Sequence, residues 1–147
     1  MYDASSVTSA GRAAKRIGVA ALAVKGTANT AVTLTGYSAG VEVFGEDGAD
    51  TPGMSTLLKL LFANGASTVY AVRVGAGGGL EAYQAAFAAL ANCDVQVVVC
   101  DSSELTIQKA LKTAVETASA ARGERIGVIG GSGDTAAQLV TRAEAIN

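Results

Sequence analysis

A chain of 147 residues, half of them hydrophobic and 18 of them glycine, is long enough for one domain with a real core and too apolar for disorder. With no histidine, a Ser-His-Asp or Cys-His nucleophile and a His-ligated metal are excluded. Eleven basic and 13 acidic residues, mixed along the chain for a net charge of −2, lack the basic patch that nucleic acid requires.

Residues 1–16 are small and polar without a sustained apolar period and read as an N-terminal arm or linker. Arg12, Lys15 and Arg16 before an apolar stretch faintly mimic a secretory signal. That stretch stops at Lys25 with no clean cleavage site, so no signal peptide is expected. Ile17–Val24 is a continuous apolar run of strand length, as in a strand covered on both faces. It is far shorter than the ~20 residues needed to span a bilayer. Lys25–Thr30 has turn chemistry, Ala31–Thr35 is short and β-prone, and Gly36–Phe44 fits either a short helix or an irregular connection. Gly45–Gly48 reads as a loop.

Thr51 and Pro52 mark a helix start, since proline suits a first turn whose N–H groups are unpaired anyway. Leu57, Leu58, Leu60, Leu61 and Phe62 cover most of that helix, which predicts that it is largely buried, with Leu61 or Phe62 deep in the core. Gly65 ends it as a C-cap. Thr68–Val74 is a second strong strand, and Ala76–Gly79 breaks the chain. Leu80, Tyr83, Phe87 and Leu90 then form one helical stripe.

Val95–Cys100 reads as a third long strand. Asp101 and Glu104 frame the next helix as an acidic variant of the capping box, and Ile107, Leu111, Ala114, Val115 and Ala118 form its inner face. Arg122 and Gly123 end it. Ile126–Ile129 is another strand, Gly130–Gly133 a turn, and Asp134 the expected cap of a last helix with the stripe Ala136, Leu139, Val140, Ala143 and Ile146. Strands alternating with helices across short loops predict a layered α/β/α domain with a largely parallel sheet and right-handed crossovers. The expected division is an arm over 1–16 and a core domain over 17–147. After a helix at the C-terminal end this architecture wants a further strand, so the core is expected to be cut short there.

Chemistry is sparse in this sequence. Gly131–Ala136 fits G-x-G-x-x-A between a strand and a helix, where amides could cradle a phosphate. The acidic residue that a dinucleotide site wants about 20 positions later is missing, so a tight strand–helix turn is the plainer reading, and no P-loop occurs. Asp101 and Arg73 fall at carboxyl ends of strands, where open α/β sheets bind small molecules. The plainer readings are a helix cap and a surface or interface charge. Ser102 and Ser103 have no histidine base. Cys93 and Cys100 read as two reduced small hydrophobes. In the 80–91 helix Glu81 and Gln84 are nearly the only polar side chains, and Ala85, Ala88 and Ala89 take the face that should be wet. This suggests cover by another segment or subunit.

Phe44-Gly45, the run Gly53–Phe62, the turn Phe62-Ala63-Asn64-Gly65-Ala66 and the strand ending Val72-Arg73-Val74 together resemble the N-terminal signature of contractile tail sheath proteins of myophages and related phage-tail-like particles. In that family an FG motif precedes a buried helix, an F-x-N-G-[GA] turn and a strand closing on V-x-R-[VL]. Gly18–Ala23, Gly26, Asn29 and Ala31–Thr35 match its opening strand, turn and second strand. Cys93–Asp101 and Glu124–Gly130 are similar to its core strands. The resemblance implies a structural subunit that polymerises around a tail tube and contracts, with other sheath subunits and the tube protein as partners. It implies no catalysis, cofactor, metal, nucleic acid or membrane, and a place in a virion tail or tail-like particle assembled in the bacterial cytoplasm. The alternative expectation is a small nucleotide-binding α/β domain using Gly131–Ala136.

Overall fold

A computed structural model describes residues 15–131 and 134–147; the rest of the expected arm, residues 1–14, lies outside them. Among the described residues five strands and five helices follow one another in the order β1 (Arg16–Ala21), β2 (Ala31–Leu34), α1 (Tyr37–Phe44), α2 (Met54–Ala63), β3 (Thr68–Arg73), α3 (Leu80–Ala91), β4 (Val97–Cys100), α4 (Leu105–Ala120), β5 (Ile126–Val128) and α5 (Ala136–Ile146). The strands form one sheet in the order β2-β3-β1-β4-β5. β1 runs parallel to β3 and β4, β4 parallel to β5, and β2 antiparallel to β3 on the outer edge. The mixed α/β architecture expected from the alternation is the architecture found.

Alternation along β1 splits the core into two layers, because successive strand residues point to opposite faces. On one face Val19 and Ala21, with Val69 and Ala71 of β3, pack against Phe44 of α1 and Met54 and Leu58 of α2. On the other, Ala20, Val72, Val74 and Val98 meet Tyr83, Ala86, Phe87 and Leu90 of α3 and Ile107 and Leu111 of α4. Small residues set the layer spacing. A Cβ at Gly18 would stand 3.2 Å from Leu90, and one at Gly40 only 2.5 Å from Leu58.

Several boundaries differ from the sequence expectation, each for a local reason. β1 leaves the sheet at Ala21, because Leu22 O turns out to accept the Met54 N–H at 2.8 Å; Leu22 and Val24 are consequently exposed. α2 starts at Met54 with Gly53 as N-cap, so Pro52 stands outside it. It is half buried rather than enclosed. Met54 and Leu58 are fully buried, Leu61 and Phe62 only partly so, and Leu60 is 57% exposed. Leu80 is likewise exposed at the start of α3, where Ala86 takes its place in the stripe. Val95 is buried ahead of β4 without belonging to it.

Candidate functional site

The carboxyl end of the sheet is where a doubly wound domain places a ligand, in the crevice between strands whose crossovers leave in opposite directions. Here those strands are β1, whose connection leads toward β3, and β4, whose connection leads toward β5. Asp101, the first residue after β4, stands at this crevice. Its carboxylate accepts the Leu22 N–H at 3.0 Å and the Tyr83 hydroxyl proton. It therefore ties the end of β1 to α3 and does not cap α4. Burial pushes the Asp101 carboxyl above its ordinary value, and the bonds from Tyr83 and Leu22 offset this only in part. Burial and the Asp101 carboxylate together raise the Tyr83 phenol far above its usual range.

The expected capping box at 101–104 is replaced. Glu104 is the N-cap of α4 without a side-chain bond, and Ser102 Oγ accepts the Glu104 N–H at 3.2 Å. The neighbouring connection also closes on the crevice, since a Cβ at Gly78 would lie 3.1 Å from Leu22.

Arg73 is half-buried, and its guanidinium braces a turn. Its Nε donates to Ala23 O at 3.2 Å and its Nη1 to Gly26 O at 2.7 Å, while its own carbonyl accepts the Asn29 N–H. The guanidinium thus holds the β1–β2 turn against the end of β3. Asp47, not singled out by the sequence, is the group that caps α2. One carboxylate oxygen accepts from Gly53 N at 2.8 Å, Thr56 N at 2.9 Å and Thr56 Oγ1 at 3.0 Å. Burial opposes its ionisation, but these bonds outweigh it and hold its pKa below the usual carboxylate value. A capping residue normally stands two or three positions before the amides it serves; Asp47 reaches across a loop, which is why no spacing rule finds it.

The Gly131–Ala136 turn is only partly described, Ser132 and Gly133 lying outside the described residues. Thr135, not Asp134, caps α5, in a capping box with Gln138. That box occupies amides a phosphate would use. Asp134 pairs with Arg142 at 3.2 Å, which places a carboxylate beside the same helix start. Cys93 and Cys100 are free thiols whose pKa values burial raises.

A solved structure with a similar fold is a contractile sheath. It is the cryo-EM structure of the anti-feeding prophage helical sheath in its contracted state, at 14% sequence identity and a TM-score of 0.58. The match covers 83% of this chain and 36% of the sheath chain, so the chain spans well under half the length of that relative. No family model matches the sequence, and no curated protein matches it.

Against this fold, the residues of the sheath-like signature sit at points of backbone control. Phe44 is fully buried beneath the sheet. Gly65 turns the chain after α2 at φ +91°, a conformation that disfavours any side chain, and Asn64 Nδ2 donates to Leu60 O at 2.7 Å. Arg73 pins the β1–β2 turn.

Apolar surface lies on the flanks as well as at the carboxyl edge, where Leu22 and Val24 are exposed. β5 is the outer strand and is exposed along its length. Ile126 and Val128 are 61% and 50% exposed on the α1/α2 side, which no helix covers at that edge. α5 has no buried residue, so its expected stripe does not reach a core. Between α3 and α4 a groove of about 550 Å³ is lined by Ala88, Ala91, Ala110, Ala114 and Thr117 among others. It is the surface onto which the alanine-rich face of α3 opens; Ala85 and Ala89 are half buried beside it. No helix among the described residues is long and apolar enough to cross a membrane.

Proposed function

We propose that this chain is a core domain of a contractile-sheath subunit in a phage-tail-like particle, and that its work is mechanical rather than catalytic. The observation that carries the reading is the coincidence of two likenesses, one of sequence and one of fold. The ordered sequence signature over residues 44–74 and the fold point to the same class of protein, and the signature residues Phe44, Gly65 and Arg73 perform jobs that this fold needs. Exposed aliphatic side chains on β5 and α5 and the alanine-lined groove between α3 and α4 suit a subunit that packs against others, since contiguous apolar surface on a soluble domain marks contacts. Its partners in this reading are further sheath subunits and a tail tube protein, with no cofactor, metal, nucleic acid or membrane involved. Its place is a virion tail or tail-like particle assembled in the bacterial cytoplasm.

The test is to purify tail-like particles from the producing cells after prophage induction and to map this polypeptide on them. Mass spectrometry of the particles and immunogold labelling along the tail are expected to find it as a repeated component. Particles that lack the polypeptide while the cells express it would refute the proposal.

A further inference from the structure

We infer that α5 is a separately opening unit of this domain, pinned to α4 and the β4–α4 loop by a polar cluster centred on Arg142. The inference rests on how α5 is attached and is independent of the sheath reading. None of the eleven residues of α5 is buried, and Leu139 and Val140 remain 46% and 58% exposed. Apolar burial, the main source of adhesion between elements, is therefore nearly absent at this contact. Apart from Ile146, which lines a groove with Leu111 and Val115, the described contacts that join the helix to the domain are polar.

Arg142 carries that contact. Its Nε donates to Asp134 at 3.2 Å, and its Nη1 donates to Ser103 O at 2.6 Å and to Gln108 Oε1 at 3.1 Å. Gln108 is fully buried, and its Nε2 donates to Gly130 O at 2.7 Å. One guanidinium thus bridges the start of α5, the β4–α4 loop and a buried carboxamide of α4. The other helices differ. α3 and α4 each place four residues in the interior.

The α5 capping box, Thr135 with Gln138, secures its first turn but does not tie it to α4. When α5 undocks, the two layers around β1 and β3 keep their packing. Opening uncovers a groove of about 320 Å³ whose walls include Leu111, Val115, Ile126 and Gly127, and of which Ile146 forms one side. The device gives the domain an apolar wall on α4, Leu111 and Val115, that is fully presented only in the open state, beside β5 residues that are exposed in both.

Hydrogen–deuterium exchange on the 147-residue chain tests this directly. Amides of residues 140–146 are expected to exchange at least ~100-fold faster than those of Val19, Ala20, Val69 and Ala71, at a rate indifferent to low urea, as local opening exposes little surface. Arg142→Ala is expected to speed exchange in α5 by about tenfold or more and to leave the β1 and β3 amides unchanged; a pin acts locally. The inference is overturned if α5 exchanges together with β1 and β3 and shares their urea dependence in the wild-type chain. It is equally overturned if Arg142→Ala leaves α5 exchange unchanged, raises exchange throughout, or prevents folding, because the pin would then be idle or part of the global core.

Discussion

Gly40 of α1 faces Leu58 of α2 at close range, and the two can be probed as a pair. A Cβ at Gly40 would stand 2.5 Å from Leu58 Cδ1 and 3.4 Å from Leu34 Cδ1, and both leucines are buried, at 0% and 2% exposure. Leu58 cannot swing into solvent, so Gly40→Ala forces an overpacked arrangement costing about 1–3 kcal/mol. Against this stands a gain of about 1 kcal/mol from replacing glycine inside a helix, for a net loss near ~1 kcal/mol. Leu58→Ala alone creates a cavity and costs about 2–5 kcal/mol. In the Leu58→Ala background the clashing methyl is gone, so Gly40→Ala keeps the helix gain of about 1 kcal/mol and fills part of the void. The same substitution thus changes sign, with a coupling of about 2 kcal/mol, inside the range seen for residues in contact. Urea midpoints at constant m-value measure all four proteins. At this chain length each kcal/mol moves Tm by roughly 2–4 °C. Effects that add within about 0.5 kcal/mol would refute the helix–helix contact and with it the assignment of α1 to this face.

Asp47→Ala should cost about 1–2 kcal/mol, the worth of a helix cap. Because the folded-state pKa of Asp47 is depressed, its contribution is present above the ordinary carboxylate value and disappears as pH falls through the folded value; a variant with the wild-type acid profile would contradict the capping role. Asp101 has the opposite sign. Its folded-state pKa is raised, so the domain loses stability as pH rises from the ordinary carboxylate value through the raised one, and Asp101→Asn should flatten that decline in a pH series of urea midpoints. Tyr83→Phe removes a bond that favours the ionised form and should steepen it. Finally, NAD, NADP, ATP and GTP should each leave Tm unchanged; a ligand at 100 times its Kd would add about 2.7 kcal/mol, and a shift of several degrees with any of them would reopen the Gly131–Ala136 reading.

Elements whose residues are buried by local period were legible in the sequence. The spacing of Tyr83, Phe87 and Leu90, the run Thr68–Val74, and the alternation of strand and helix sufficed for the layered architecture. What escaped were features decided by partners far along the chain. Asp101 looks like a cap because acidic residues before helices usually are caps, yet its partners are Leu22 and Tyr83, 79 and 18 positions away. Asp47 caps a helix from outside the local window. The exposure of Leu60 and Leu139 follows from the layers on each face and from the position of β5 as an edge, which hydrophobic periodicity does not encode. An apolar stripe reports that a helix can bury a face, and only the topology says whether anything stands there.

That difference also bears on where the domain does its work. In an open α/β sheet the carboxyl edge is the natural ligand crevice, and here its charged side chains are engaged by the chain itself. Asp101 has both oxygens engaged and Arg73 spends its guanidinium on the carbonyls of Ala23 and Gly26, while Leu22 and Val24 stay exposed beside them. Among the described residues β5 is an outer parallel edge with exposed isoleucine and valine, and the α3–α4 groove is walled largely by alanine and threonine, side chains small enough for another backbone to approach closely. Exposed aliphatic side chains on β5 and α5 and small side chains along the α3–α4 groove give these flanks the character of surfaces that other protein surfaces can approach closely.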